Sequence, residues 1–158
     1  MTKSVYIESS VISYCTSRTS RDLVIAARQS ITQDWWNTNL KRFEVYVSPV
    51  VEREVSAGDQ VMAKKRLELI LDIPALRVTI IAQQLVDGLL KAKLLPAGCL
   101  DDALHIGVAA AHGMDYLLTW NFKHINNAET KHGILLYIQD AGYTCSILCS
   151  PEELGVTS

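Results

Sequence analysis

The sequence has little of what marks a membrane, secreted or polyanion-coating protein. Nowhere in its 158 residues does an apolar run reach the roughly 18–20 residues that a spanning helix needs. The opening Met1–Glu8 lacks the apolar core of a signal peptide and meets a carboxylate at once, so a cytoplasmic location with no membrane contact is expected. Fifteen Lys and Arg stand against 17 Asp and Glu, a net charge of −2. There is no basic arm, so any polyanion must be met by a local patch or through a bound cation. Cysteine is scarce: Cys15, Cys99, Cys145 and Cys149 include no Cys-x-x-Cys, and no histidine pair completes a zinc set. Reduced, mostly buried thiols are the expectation. Neither G-x-G-x-x-G nor G-x-x-x-x-G-K occurs, which removes the usual phosphate loops of nucleotide-binding α/β enzymes.

What is present describes an ordinary globular chain. Apolar residues make up 49% and charged residues 20%, at a length typical of one compact domain. A single domain over residues 1–150 with a C-terminal tail at 151–158 is expected. Val5-Tyr6-Ile7 reads as a buried strand, and Glu8-Ser9-Ser10 as a polar turn after it. Helical spacing runs over 20–42, with Ser20 as N-cap, and alternation over 43–47 predicts a second strand. Ser48-Pro49 opens a helix that ends at Gly58, and Asp59 caps the next, which stops at Ile73-Pro74. A third strand is expected over 76–81, a helix over 83–93, and a small-residue helix over 100–112. A fourth strand over 115–120, a helix over 126–139 and a short strand over 146–148 complete the pattern. Strands alternating with helices predict an α/β sandwich with a mainly parallel sheet of four to five strands flanked by helices.

In such sheets ligands gather at the carboxyl ends of the strands. Glu8 follows the first strand, Asn121 the fourth, and Glu54 lies early in the helix after the second. Asp101 and Asp102 begin a helix that starts at the same edge. Four groups distant in sequence therefore converge there. Carboxylates brought close repel unless a cation lies between them, and hard oxygen donors suit Mg²⁺ or Mn²⁺. Such ions activate water against a phosphodiester. Asp101-Asp102 also suits a helix start through capping and the dipole alone. His105 is expected to be a hydrogen-bonded structural residue, and Trp35-Trp36 to pack in the core.

Four segments carry a resemblance. They are residues 5–13 (VYIESSVIS), 48–58 (SPVVEREVSAG), 101–111 (DDALHIGVAAA) and 116–121 (YLLTWN). In this order they resemble PIN domains, and more closely the toxins of VapBC-type toxin–antitoxin systems. The resemblance implies a PIN-like three-layer sandwich and a Mg²⁺- or Mn²⁺-dependent endoribonuclease. Its site residues would be Glu8, Glu54, Asp102 and Asn121, the metal being held by Glu8, Asp102 and Asn121, with Ser9, Thr119 and Asp101 in support. It implies a small antitoxin partner and a homodimer. Two positions depart from the family pattern. Glu8 stands where Asp is usual and adds a methylene, and Asn121 keeps an oxygen donor but removes a charge. The alternative is therefore a catalytically weakened module that binds RNA or a protein partner without cleavage. For RNA, the cations flanking the acidic edge are Arg18, Arg21, Arg53 and Lys123, whereas Lys64-Lys65-Arg66 reads as a solvated helix face.

Overall fold

A computed structural model describes residues 1–155. Its centre is β1 (Ser4–Ile7), with all four residues buried, Val5-Tyr6-Ile7 as the apolar run requires. β1 pairs in parallel with β2 (Glu44–Tyr46) on one side and β3 (Tyr116–Leu118) on the other, and β4 (Ile147–Cys149) joins β3. The order is β2-β1-β3-β4, with Tyr6 opposite both Tyr46 and Leu117. All the pairings are parallel, so one edge collects every strand's carboxyl end.

Seven α-helices flank the sheet among the described residues: α1 (Ser9–Thr16), α2 (Leu23–Thr38), α3 (Pro49–Val55), α4 (Gln60–Leu69), α5 (Ile80–Lys91), α6 (Leu100–Ala111) and α7 (Lys131–Asp140). Ser48 caps α3 by accepting from Val51 N–H, with Pro49 in the first turn, and Asp59 caps α4 through Met62 N–H, both as expected. Gly58 follows α3 with φ +84, where a side chain would be strained. Trp35 is buried and stacks on Phe43 at 6.0 Å between centroids, the core role expected of it. Its indole N–H donates to the Leu154 carbonyl, tying the first residues after 150 to the body.

Several sequence expectations are corrected. Residues 9 and 10 are not a turn: Glu8 caps α1 by accepting from Ser10 N–H, and Val11 and Ile12 bury the helix face. The long helix starts at Leu23 and is capped by Asp22, because the Ser20 hydroxyl is taken by Asp22 N–H. No strand forms over 76–81. Its pairing is reduced to one bridge, Val47 with Ala75, and Thr79 then caps α5 by accepting from Ala82 N–H. The β-branched run there was split by a local capping bond that costs no long-range pairing. The last helix begins at Lys131 rather than 126, since Asn127 turns its amide onto the Phe122 carbonyl.

Helices α5 and α6 approach closely at Gly107. A Cβ there would lie 2.9 Å from both the Ala82 carbonyl oxygen and Val86 Cγ2, so only glycine permits this spacing. That contact fixes the spacing of α5 from α6, the helix that carries Asp101, Asp102 and His105.

Candidate functional site

Glu8 follows β1 directly, and its carboxylate is buried. Oε1 accepts from the Thr119 hydroxyl at 2.6 Å and from the Ser10 hydroxyl at 2.5 Å, and Oε2 accepts from Ser10 N–H at 3.0 Å. Thr119 follows β3, so this carboxylate clamps the ends of two adjacent strands. The desolvation cost of a charge at the end of a central strand is offset by three hydrogen bonds.

Glu54 projects from α3 towards the same edge. Its Oε1 accepts from the Ser9 hydroxyl at 2.7 Å and lies 2.6 Å from Nε2 of His105. Oε2 has no hydrogen-bond partner among the described residues. His105 is fully buried, and its Nδ1 lies 2.6 Å from the Tyr6 hydroxyl, which lies 2.7 Å from the Ser48 hydroxyl. Burial alone would lower the His105 pKa. The hydrogen bond with Glu54, and the charges of Glu8, Glu54 and Asp102, outweigh it and raise the value. Burial alone would raise the Glu54 pKa, and the bond and charge of His105 together with the Ser9 hydroxyl outweigh it and hold the carboxyl low. Burial also holds the Tyr6 phenol protonated. The Glu54 carboxylate, both His105 nitrogens and the Tyr6 and Ser48 hydroxyls thus form one continuous hydrogen-bonded chain.

One ligand-type atom each from Glu8, Glu54 and His105 falls within 4.8 Å of the others. Both nitrogens of His105 are engaged, so the imidazole has no lone pair to offer a metal. It is a positioning residue for Glu54, in keeping with the structural role expected of it.

Asp102 heads α6 within a second group. Its Oδ1 accepts from the Asn121 amide at 3.1 Å, and its Oδ2 lies 3.0 Å from Nδ1 of His124. Asn121 N–H donates to Thr119 Oγ1 at 2.9 Å. The path Glu8–Thr119–Asn121–Asp102 thus joins the two groups by hydrogen bonds. Asp101 points elsewhere: Arg53 grips it with two bonds of 2.7 and 3.1 Å. This pair is largely exposed and contributes about 0–1 kcal/mol. Arg18, Arg21 and Lys123 are exposed. Arg66 is not merely solvated, since its guanidinium donates to the Val55 and Ala57 carbonyls behind α3.

Two side chains near Asp102 escaped the sequence reading, Cys99 and His124. His124 lies three residues past Asn121, and Cys99 three before Asp102, but only the fold brings the two together. Burial pushes the Cys15 and Cys145 thiols up to about 11 and Cys149 to about 12, as inert reduced thiols require.

No protein-family model matches the chain, and no curated protein does. Solved structures do. A chain in the crystal structure of VapBC2 from Rickettsia felis bound to a DNA fragment from their promoter superposes with a TM-score of 0.54. Sequence identity is 13%, and the match covers 93% of this chain and 98% of that one. At that identity the likeness is one of fold. It agrees with the PIN-like α/β sandwich expected from the sequence, with four parallel strands between helices.

Proposed function

We propose that the protein is a metal-dependent endoribonuclease, the toxin of a toxin–antitoxin pair, acting through Glu8, Glu54, Asp102 and Asn121. The observation that carries this reading is the gathering of Glu8 and Glu54 at one sheet edge, linked to Asp102 through Thr119 and Asn121. The donor set fits a hard divalent ion. Oε2 of Glu54 has no hydrogen bond among the described residues, and Oε2 of Glu8 accepts only an amide. A bound Mg²⁺ or Mn²⁺ would activate water and neutralise charge on the scissile phosphate.

The chain's own residues prepare the edge. Thr119 and Ser10 orient Glu8, His105 and Ser9 orient Glu54, and Asn121 orients Asp102. Arg18, Arg21 and Lys123 supply exposed positive charge for RNA, and Arg53 would serve only after leaving Asp101. The neighbour's pairing of VapB with VapC supports a small protein partner. Exposed Leu23, Val24, Val61 and Leu71 on and beside α2 and α4 offer apolar surface for it, or for a second copy of this chain. Among the described residues no helix is long and apolar enough to cross a membrane, and a cytoplasmic site of action is proposed.

The test is cleavage of RNA by purified protein with Mg²⁺, with Mn²⁺ and with chelator. Cleavage that needs the ion and falls at least about a hundredfold in Asp102→Asn, some 2.7 kcal/mol of barrier, supports the reading. Metal-independent cleavage, or an Asp102→Asn variant as active as wild type, overturns it. RNA binding with no cleavage under any ion would establish the weakened module instead, a reading favoured by the single missing charge at Asn121.

A further inference from the structure

The second group at the edge is chemically unlike the first. Cys99, Asp102 and His124 each present one ligand atom, all within 4.8 Å of one another. Cys99 is the residue just before α6 and Asp102 lies in its first turn, so both stand at the start of that helix. His124 comes from the loop after β3. Its Nδ1 lies 3.5 Å from Cys99 Sγ and 3.0 Å from Asp102 Oδ2.

We propose that Cys99, Asp102 and His124 form a binding site for a borderline divalent transition metal, Zn²⁺ being the type ion. Two of the ligand separations are near those of a tetrahedral centre. From ordinary Zn–S, Zn–N and Zn–O bond lengths, tetrahedral edges come to about 3.5 Å for sulfur to nitrogen and about 3.3 Å for nitrogen to oxygen. The observed 3.5 and 3.0 Å approach those edges, but Cys99 Sγ also lies 3.7 Å from Nε2, so the thiol or the ring has to turn for Nδ1 and Sγ to face one ion. The ligands are also held from behind. Asn121 donates from its amide to Asp102 Oδ1, and its carbonyl oxygen accepts from His124 N–H at 2.9 Å. One residue thus orients two ligands, the usual outer support of a metal site. Three protein ligands leave a fourth position, and the group lines an open cavity of about 300 Å³ together with Gly98, Leu100 and Asp101.

Thiolate and imidazole donors disfavour Mg²⁺ and select softer ions. On binding, Cys99 releases its thiol proton to solvent, and the His124 proton moves from Nδ1 to Nε2, freeing Nδ1. Asp102 is shared with the edge assigned to RNA cleavage, but the site itself does not depend on that activity, since Cys99 and His124 have no part in it.

Co²⁺, which takes the same tetrahedral ligands and absorbs visibly, is the probe. Titrating metal-free, reduced full-length protein with Co²⁺ is expected to raise a thiolate-to-cobalt band that saturates at one ion per chain. Zn²⁺ should bleach it, and a large excess of Mg²⁺ should not. In Cys99→Ala the band should vanish although Cys15, Cys145 and Cys149 remain. His124→Ala should weaken binding by roughly tenfold or more, and Asn121→Ala by about 10–100-fold. Circular dichroism of each variant checks the fold, and Cys99→Ser provides a second, isosteric test of the thiol. No band in wild type, a band surviving in Cys99→Ala or Cys99→Ser, or displacement by Mg²⁺ as readily as by Zn²⁺ would each overturn the proposal.

Discussion

Oε1 of Glu54, on α3, lies 2.6 Å from Nε2 of His105, on α6, with the imidazole wholly buried and the carboxylate partly open to solvent. The bond joins helices from two separate crossovers and turns Glu54 towards the sheet edge. Behind the ring, the Tyr6 and Ser48 hydroxyls complete a chain from core to edge.

Breaking that chain costs stability before any chemistry is considered. His105→Ala leaves a buried hydroxyl and a half-buried carboxylate without their partner, and is expected to lose about 2–4 kcal/mol. Tyr6→Phe, which keeps the ring, should lose about 1–2 kcal/mol. Urea unfolding in chelator measures both. A His105→Ala protein as stable as wild type would show that the ring does not hold Glu54.

A pH dependence is built into the opposite end of the sheet. Asp115 accepts from Ser4 N–H at 2.9 Å and Ser4 Oγ at 3.2 Å, joining the starts of β1 and β3. The Ser4 backbone bond chiefly lowers its pKa. Desolvation opposes this, while the Ser4 hydroxyl and the Lys3 charge add to it. A carboxyl depressed in the folded state contributes stability that is fully present above its unfolded pKa and is lost as pH falls through the folded value. Asp115→Asn should therefore melt below wild type at pH 7, with the gap closing as pH drops below about 4. A constant gap across that range would remove Asp115 from the acid response.

At Gly107 the backbone of α5 leaves no room for a methyl group. Gly107→Ala gains about 1 kcal/mol in helix propensity but meets a carbonyl that cannot swing aside, at a cost of about 1–3 kcal/mol. The expected net result is a lower melting temperature. α6 carries Asp102, so weaker metal binding should accompany it, read by calorimetry. A more stable variant would mean the two helices separate easily.

The exposed cations bear on RNA. Arg18→Ala with Lys123→Ala is expected to weaken binding uniformly across sequences and to flatten its dependence on salt by about two phosphate contacts' worth of slope. Fluorescence anisotropy over a salt series reads both. Unchanged affinity and slope in the double variant would place the nucleic acid elsewhere and leave the metal site unaffected.

Local chemistry determined much of this protein. The apolar Val5-Tyr6-Ile7 run made a central strand, Ser48-Pro49 and Asp59 started helices where they should, and helix–strand alternation brought Glu8, Glu54, Asp102 and Asn121 to the carboxyl side of a parallel sheet. These signals are carried by contiguous residues, so they can be read without the fold. The stretch at 76–81 could not be read in this way, because β-branched residues favour a strand only in a pairing context, and here Thr79 caps α5 instead. Nor did sequence spacing reveal that Glu54 would turn to His105, that Arg53 would be spent on Asp101, or that Cys99 and His124, 25 residues apart, would face each other across Asp102. Those pairings depend on how far α3 and α6 stand from the sheet and how each is rotated. They are made by contacts between residues that sequence order keeps apart, such as Gly107 against α5 and Tyr6 against His105.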